Sequence, residues 1–175
     1  MNQFVEARAR GDGSAAVQWL EQMLQASQEQ PRILVELAEA QFDARRYEEA
    51  HATAERIRAI EPDSSLVDFI LGKAKLKIGQ IDEGRRLLQS ALDRGFNPEV
   101  TNYYLASSYQ TEGNLATALA LYESVVDANP VNAFALVEIG TILHQTGKTE
   151  QAEPYFRQVI QLNPALAKSR LGTGN

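Results

Sequence analysis

The apolar positions of this chain recur every 34 residues. Over 99–132 they fall at Leu105, Ala106, Tyr109, Gly113, Ala118, Tyr122, Val125 and Pro130. One period later the same places hold Ile139, Gly140, Leu143, Gly147, Ala152, Phe156, Val159 and Pro164. One period earlier stand Leu71, Gly72, Gly79, Gly84, Leu88 and Ala91, and a further step back gives Leu37, Ala38, Ala50, Ala54, Ile57 and Pro62. Four units therefore tile 31–64, 65–98, 99–132 and 133–166 without a gap. Within a unit the apolar residues follow the helical period and are interrupted by Gly and Pro, which predicts a pair of helices per unit. A fixed period of this length marks a solenoid, in which each unit buries its apolar side against its neighbours.

With small residues at positions 8 and 20, Gly near 15 and Pro at 32, the unit resembles the tetratricopeptide repeat. The resemblance covers about four fifths of the chain. It implies an all-α fold, a right-handed superhelical α-solenoid of helix-turn-helix repeats. Position 4, usually Trp in that family, is Leu34, Asp68, Asn102 and Leu136 here. Repeat two departs most, with Lys75 at position 11, Gly84 at 20, Phe96 at 32 and its proline delayed to Pro98.

The spacing predicts helices over 32–44 and 47–60, 65–78 and 81–94, 99–112 and 115–128, and 132–146 and 149–162. Residues 1–30 are in register as a half repeat, because Ala16, Leu20, Met23 and Leu24 take the second-helix packing positions. A helix over 14–28 capped by Ser14 follows, preceded by a short one over 2–9. Arg45 stands where later repeats place glycine, so strain or a different turn is expected there. Gly84 inside a helix costs about 1 kcal/mol against Ala, which marks repeat two as the least stable unit. Pro154 in the last full helix predicts a mild bend. The tail, 167–175, offers only a stub where a capping helix is usual, and leaves Phe156, Val159 and Ile160 at an uncapped edge. All units are expected to form one solenoid domain.

On each first helix, positions 4, 7, 8 and 11 cluster on one side, while 2, 5, 9, 12 and 13 lie nearly opposite. In the family the second stripe lines a concave groove. The resemblance therefore implies a partner-binding groove built from Val35, Glu39, Phe42, Leu66, Phe69, Lys73, Leu76, Val100, Tyr103, Ser107, Phe134, Val137, Thr141 and His144. Position 5 reads Val35, Phe69, Tyr103 and Val137, an apolar line suited to an amphipathic helix or an apolar peptide. Glu39, Asp43, Lys73 and Lys77 form its charged rim. Family members that hold chaperone C-termini use Lys, Asn and Arg donors in this stripe. The matching places here are Val35, Glu39, Ile70, Val100 and Tyr104, or one unit on Phe69, Lys73, Tyr104, Phe134 and Glu138. Neither set supplies the cations a carboxylate needs.

Composition narrows the remaining choices. A net charge of -6 without a Lys/Arg cluster argues against a nucleic-acid partner. The absence of cysteine removes disulfides and thiolate metal sites. No segment has the length and apolarity of a membrane span or a signal peptide. A cytoplasmic protein is the expectation, or a periplasmic one whose leader has been removed. No phosphate loop, nucleophile elbow or metal-ligand spacing occurs, so neither catalysis nor a cofactor is expected. His51 reads as a solvated histidine and His144 as a groove wall, while Glu48, Glu49, Asp82 and Glu83 suit helix N-termini electrostatically. The expected function is a non-catalytic adaptor for a protein segment. The alternatives are self-assembly into a homo-oligomer through the uncapped edge, or a helper region of a longer enzyme or membrane-assembly protein.

Overall fold

A computed structural model describes residue 10 and residues 12–26 and 30–171. The expected helix over 2–9 lies outside these residues, as do the last positions of the one over 14–28. Ten helices are described: α1 (Gly13–Ala26), α2 (Pro31–Asp43), α3 (Tyr47–Ile60), α4 (Ser65–Lys77), α5 (Ile81–Asp93), α6 (Pro98–Thr111), α7 (Leu115–Ala128), α8 (Ala133–Gln145), α9 (Thr149–Leu162) and α10 (Pro164–Leu171). The chain forms two compact units, 1–96 and 97–175.

The helix ends follow from local chemistry. After α2, α4, α6 and α8 the chain makes the same turn. The N–H of Arg46, Gln80, Asn114 and Lys148 bonds back to the carbonyl of Gln41, Lys75, Tyr109 and Leu143 respectively, at 2.8–2.9 Å. This closure satisfies orphan carbonyls but requires a left-handed residue just after the helix. Gly79, Gly113 and Gly147 take it with φ of 85°, 80° and 78°. Arg45 keeps the same turn at φ 60°, a conformation that a side chain disfavours. Helix starts are capped by Asn97, Asn114 and Asn132, whose side chains accept from the backbone of Glu99, Thr117 and Ala135. The cap of α1 is Asp12, bonded to the Ala15 N–H at 3.0 Å. Ser14, the expected cap, lies inside the first turn.

In the first unit, Ala16, Val17 and Leu20 of α1 pack on Leu37 and Ala40 of α2. Further along, Ile57, Ile70, Leu71 and Leu88 are fully or almost fully buried. Position 4 is polar in two repeats, and in both a serine 22 residues later answers it. Ser90 Oγ donates to Asp68 at 2.7 Å, and Asn102 Nδ2 donates to Ser124 Oγ at 3.1 Å. Asp68 also accepts from Arg58 at 2.5 Å, which explains how a carboxylate sits buried in that core. Repeat two uses its two glycines for close packing. A Cβ on Gly84 would stand 2.9 Å from the Gly72 carbonyl, and one on Gly72 would stand 3.0 Å from the Gly84 carbonyl. The helix-propensity deficit of Gly84 is thus tied to the close approach of α4 and α5.

In the second unit the core is Ala106, Ala118, Tyr122, Val125, Ala135, Ile139, Ile142, Leu143 and Ala152. Pro154 lies inside α9. The expected uncapped edge is partly covered. Asn163 Oδ1 caps α10 through the Leu166 N–H, and Ala167 packs with Leu136, Val137 and Val159. Val159 is consequently buried, whereas Ile160 and Leu162 stay exposed. Among the described residues, no helix is long and apolar enough to cross a membrane.

Candidate functional site

In each unit the residues expected in the groove gather into a different arrangement. In the first, Lys73 of α4 is only 3 % exposed, and its Nζ bonds Glu39 Oε2 of α2 at 2.5 Å. The ammonium also lies 4.4 Å from the Phe42 ring centroid and 5.3 Å from that of Phe69. Two ring faces and one carboxylate thus enclose the charge. Phe69 is 5 % exposed and stacks on Phe96 at 4.6 Å. Neither Phe69 nor Lys73 lies open as an anchor or a rim charge. Val35, Leu66 and Leu76 are half-buried, and Leu76 lies against Gly84 at the α4–α5 contact.

The second unit keeps an open site. Val100 and Tyr103 of α6 and Phe134 of α8 line one cavity of about 350 Å³ with Glu99, Tyr104 and Asn132. Two consecutive pairs on α6 build its wall, since Glu99 and Tyr103, and Val100 and Tyr104, are four residues apart and share neighbouring faces. The rings of Tyr103 and Tyr104 meet edge to face at 5.9 Å, and Tyr103 meets Tyr122 in the same way at 5.5 Å. Tyr122 in turn donates its hydroxyl to Gln110 Oε1 at 2.9 Å, while Gln110 Nε2 donates to Glu138. This chain of contacts fixes the floor beneath the cavity. Phe134, by contrast, is 52 % exposed.

Asn132 closes the rim. Its Oδ1 caps α8, and its Nδ2 donates to Glu99 Oε1 at 2.8 Å. Asn129 Nδ2 donates to the same oxygen at 2.7 Å. Glu99, Tyr104 and Asn132 are additions to the residues that the repeat positions place in the groove. Glu99 and Asn132 sit at the first and last positions of one repeat, a signal that only the closing of the unit makes visible.

Other groove candidates lie elsewhere. Val137 is 4 % exposed beneath α10. Ser107 and Thr141 are half-buried, their local bonds being Thr111 Oγ1 to the Ser107 carbonyl and Thr141 Oγ1 to the Val137 carbonyl. His144 joins Thr149, Phe156, Arg157 and Ile160 around a separate cavity of about 570 Å³ at the α8–α9 end. His51 is half-buried, and burial followed by the nearby Lys75 pushes its pKa below the usual imidazole value. Among the described residues, no group of three or more His, Cys, Asp or Glu could hold a metal ion.

Comparison with known proteins points in one direction. Two family patterns described as tetratricopeptide repeat match residues 7–68 and 103–167, together well over half of the chain. Among solved structures, TTC0263, a thermophilic protein of Thermus thermophilus, is similar with a TM-score of 0.83 and 15% identity, over 97% of this chain and 94% of that one. A crystal structure of MamA matches with a TM-score of 0.68 and 22% identity, over 96% and 98% of the two chains. MamA from Desulfovibrio magneticus matches with a TM-score of 0.69 and 18% identity, over 94% and 93%. The human protein O-mannosyl-transferase TMTC1 is 22% identical across 95% of this chain, which spans 19% of that protein's length.

Proposed function

Because this chain belongs to the tetratricopeptide repeat family, whose fold serves protein interaction, we propose that it is a non-catalytic scaffold holding an apolar or amphipathic segment of a partner protein at the Val100–Tyr103–Phe134 cavity. The observation that carries this reading is Phe134, a large aromatic side chain held half in solvent beside a cavity walled by two tyrosines. Exposed apolar surface of this kind marks contact sites, and aromatic residues dominate the energetics of such contacts. The fixed floor under Tyr103 lowers the ordering cost of binding. The test is affinity capture with Tyr103→Ser and Phe134→Ser, alongside circular dichroism. Loss of a partner with unchanged helicity supports the site; capture that survives both substitutions removes it.

Self-assembly is the second reading. Ile160 and Leu162 are exposed, and Ile160 lines a cavity with Phe156, so α9 retains apolar surface despite α10. A copy docking there would make an oligomer whose symmetry decides whether it closes. Light scattering after size exclusion, over a hundredfold range of concentration, separates the readings. A constant monomer mass removes this one.

A further inference from the structure

We infer that the Val100–Tyr103–Phe134 cavity selects a partner segment by a basic side chain, taking the cation of an arginine or lysine at Glu99 and its aliphatic stem against Tyr103 and Phe134. This rests on the cavity being the partner site and adds what it recognises.

Three observations converge on that ligand chemistry. The first is the unequal use of the Glu99 carboxylate. Oε1 accepts two amide hydrogen bonds, from Asn129 and Asn132, whereas Oε2 takes none from any described residue. The carboxylate of this cavity-lining residue is therefore held in place by one oxygen, which leaves the acceptor capacity of the other for a ligand. A charged donor meeting a positioned carboxylate makes a stronger hydrogen bond than a neutral one.

The second is the wall around it. Tyr103, Tyr104 and Phe134 line the same cavity. Aromatic faces attract guanidinium and ammonium groups, and the apolar stems of Arg and Lys cover ring surface well. The first unit already shows this chemistry within the chain itself, where Lys73 is enclosed by Glu39, Phe42 and Phe69. There the cation comes from the protein. In the second unit the carboxylate and rings are present, and among the described residues that line the cavity there is no Lys or Arg.

The third is charge. Between Gly95 and Gly147 the chain carries Glu99, Glu112, Glu123, Asp127 and Glu138 and not one lysine or arginine. Glu138 follows Phe134 by four residues, so it flanks the cavity one turn further along α8. The starts of α6 and α8 each place about half a positive charge nearby, but Asn97 and Asn132 already cap them, and Glu99 is a full negative charge at the first of them. The field over the cavity therefore favours a cation and opposes an acidic segment.

The experiment is panning of a displayed random dodecapeptide library on the full chain, followed by affinity measurement of the enriched peptides on two variants. Phe134→Ser removes an exposed ring. Glu99→Gln removes the charge but keeps an oxygen that can accept from Asn129 and Asn132, and circular dichroism checks that helicity is retained. The expected result is a set of peptides that need Phe134, carry Arg or Lys beside apolar residues, lose about tenfold in affinity with Glu99→Gln, and weaken as salt rises. Peptides that need Phe134 but carry no cation, or that ignore Glu99→Gln, overturn this inference and leave the scaffold reading standing. Enriched peptides indifferent to Phe134→Ser overturn both.

Discussion

Replacing Gly84 with alanine sets helix propensity against packing. Propensity alone says that Gly84→Ala stabilises α5 by about 1 kcal/mol. The geometry opposes it. The added methyl would stand 2.8 Å from Leu76 Cδ2 and 2.9 Å from both Leu76 Cγ and the Gly72 carbonyl oxygen. Carbon contacts settle at about 3.5–4.0 Å, so something must give. Leu76 can change rotamer, but the Gly72 carbonyl belongs to the backbone of α4 and moves only if the two helices part. Overpacking of this kind costs about 1–3 kcal/mol. With the propensity gain of about 1 kcal/mol set against that range, the expected net loss is roughly 0–2 kcal/mol, centred near 1. The lone tryptophan, Trp19, packs in the α1–α2 core of the same unit, so its fluorescence follows urea unfolding of that unit. For slopes of about 1–3 kcal/mol/M, a loss of about 1 kcal/mol lowers the midpoint by roughly 0.3–1 M. Arg86→Ala, on the exposed side of α5, is the control and should change stability by less than about 0.5 kcal/mol. A midpoint raised by Gly84→Ala would refute the close-approach argument and leave propensity as the whole explanation.

Four further outcomes follow from the geometry. Arg45→Gly relieves the left-handed turn at φ 60° and should stabilise the first unit by about 0.5–1 kcal/mol, the strain of roughly 1–2 being offset by the entropy of glycine; a lowered Trp19 midpoint would contradict it. Glu39→Gln should cost more than Lys73→Met, about 2 kcal/mol, because it strands a cation that is nearly buried while the reverse change leaves a carboxylate closer to water; equal costs in parallel denaturation curves would refute the enclosure of Lys73. His51 has a lowered pKa in the folded chain, so the unfolded chain binds its proton first as pH falls. Its contribution is therefore full above about pH 6.5 and declines as pH drops below that value; in a pH series of unfolding midpoints, His51→Gln should flatten that part of the profile. Gly140→Ala would place a methyl 2.5 Å from Phe156 Cε1, and calorimetry should show a lower transition for the second unit.

The periodic part of the fold is legible because it is local. Gly79, Gly113 and Gly147 end their helices through their own backbone, and α3, α7 and α9 span the residues that the spacing predicts. Arg45 shows the limit from the other side, since the turn persists when its preferred residue is missing. What escapes the periodic pattern is decided by residues outside it. Phe69 is buried because Phe96, a departure from the repeat, stacks upon it. Val137 is buried because α10 begins an extra turn of chain over it. Glu99 enters the cavity through amides 30 and 33 residues away, a relation between the ends of one repeat that no single helix face displays. Phe134 and Tyr103 are legible as groove residues because their helix positions alone bring them to that side. Their meeting with Tyr104 and Asn132 depends on how the two helices lie together.

The ion pair between Glu39 and Lys73 spans one full period of 34 residues, so the two side chains occupy the same place in successive repeats. That makes the joint between them an address. If one repeat were excised by deleting 65–98, the 34-residue register of the apolar landmarks would be kept, yet Ser107 would take the sequence place of Lys73, and the partner position of Glu39 would hold a hydroxyl in place of a cation. Modules that look interchangeable by their small and aromatic residues are thus ordered by charge. Shuffling, duplication or loss of repeats in such a chain meets its resistance at this joint, and the order of the first two units is heritable information separate from the fold they share.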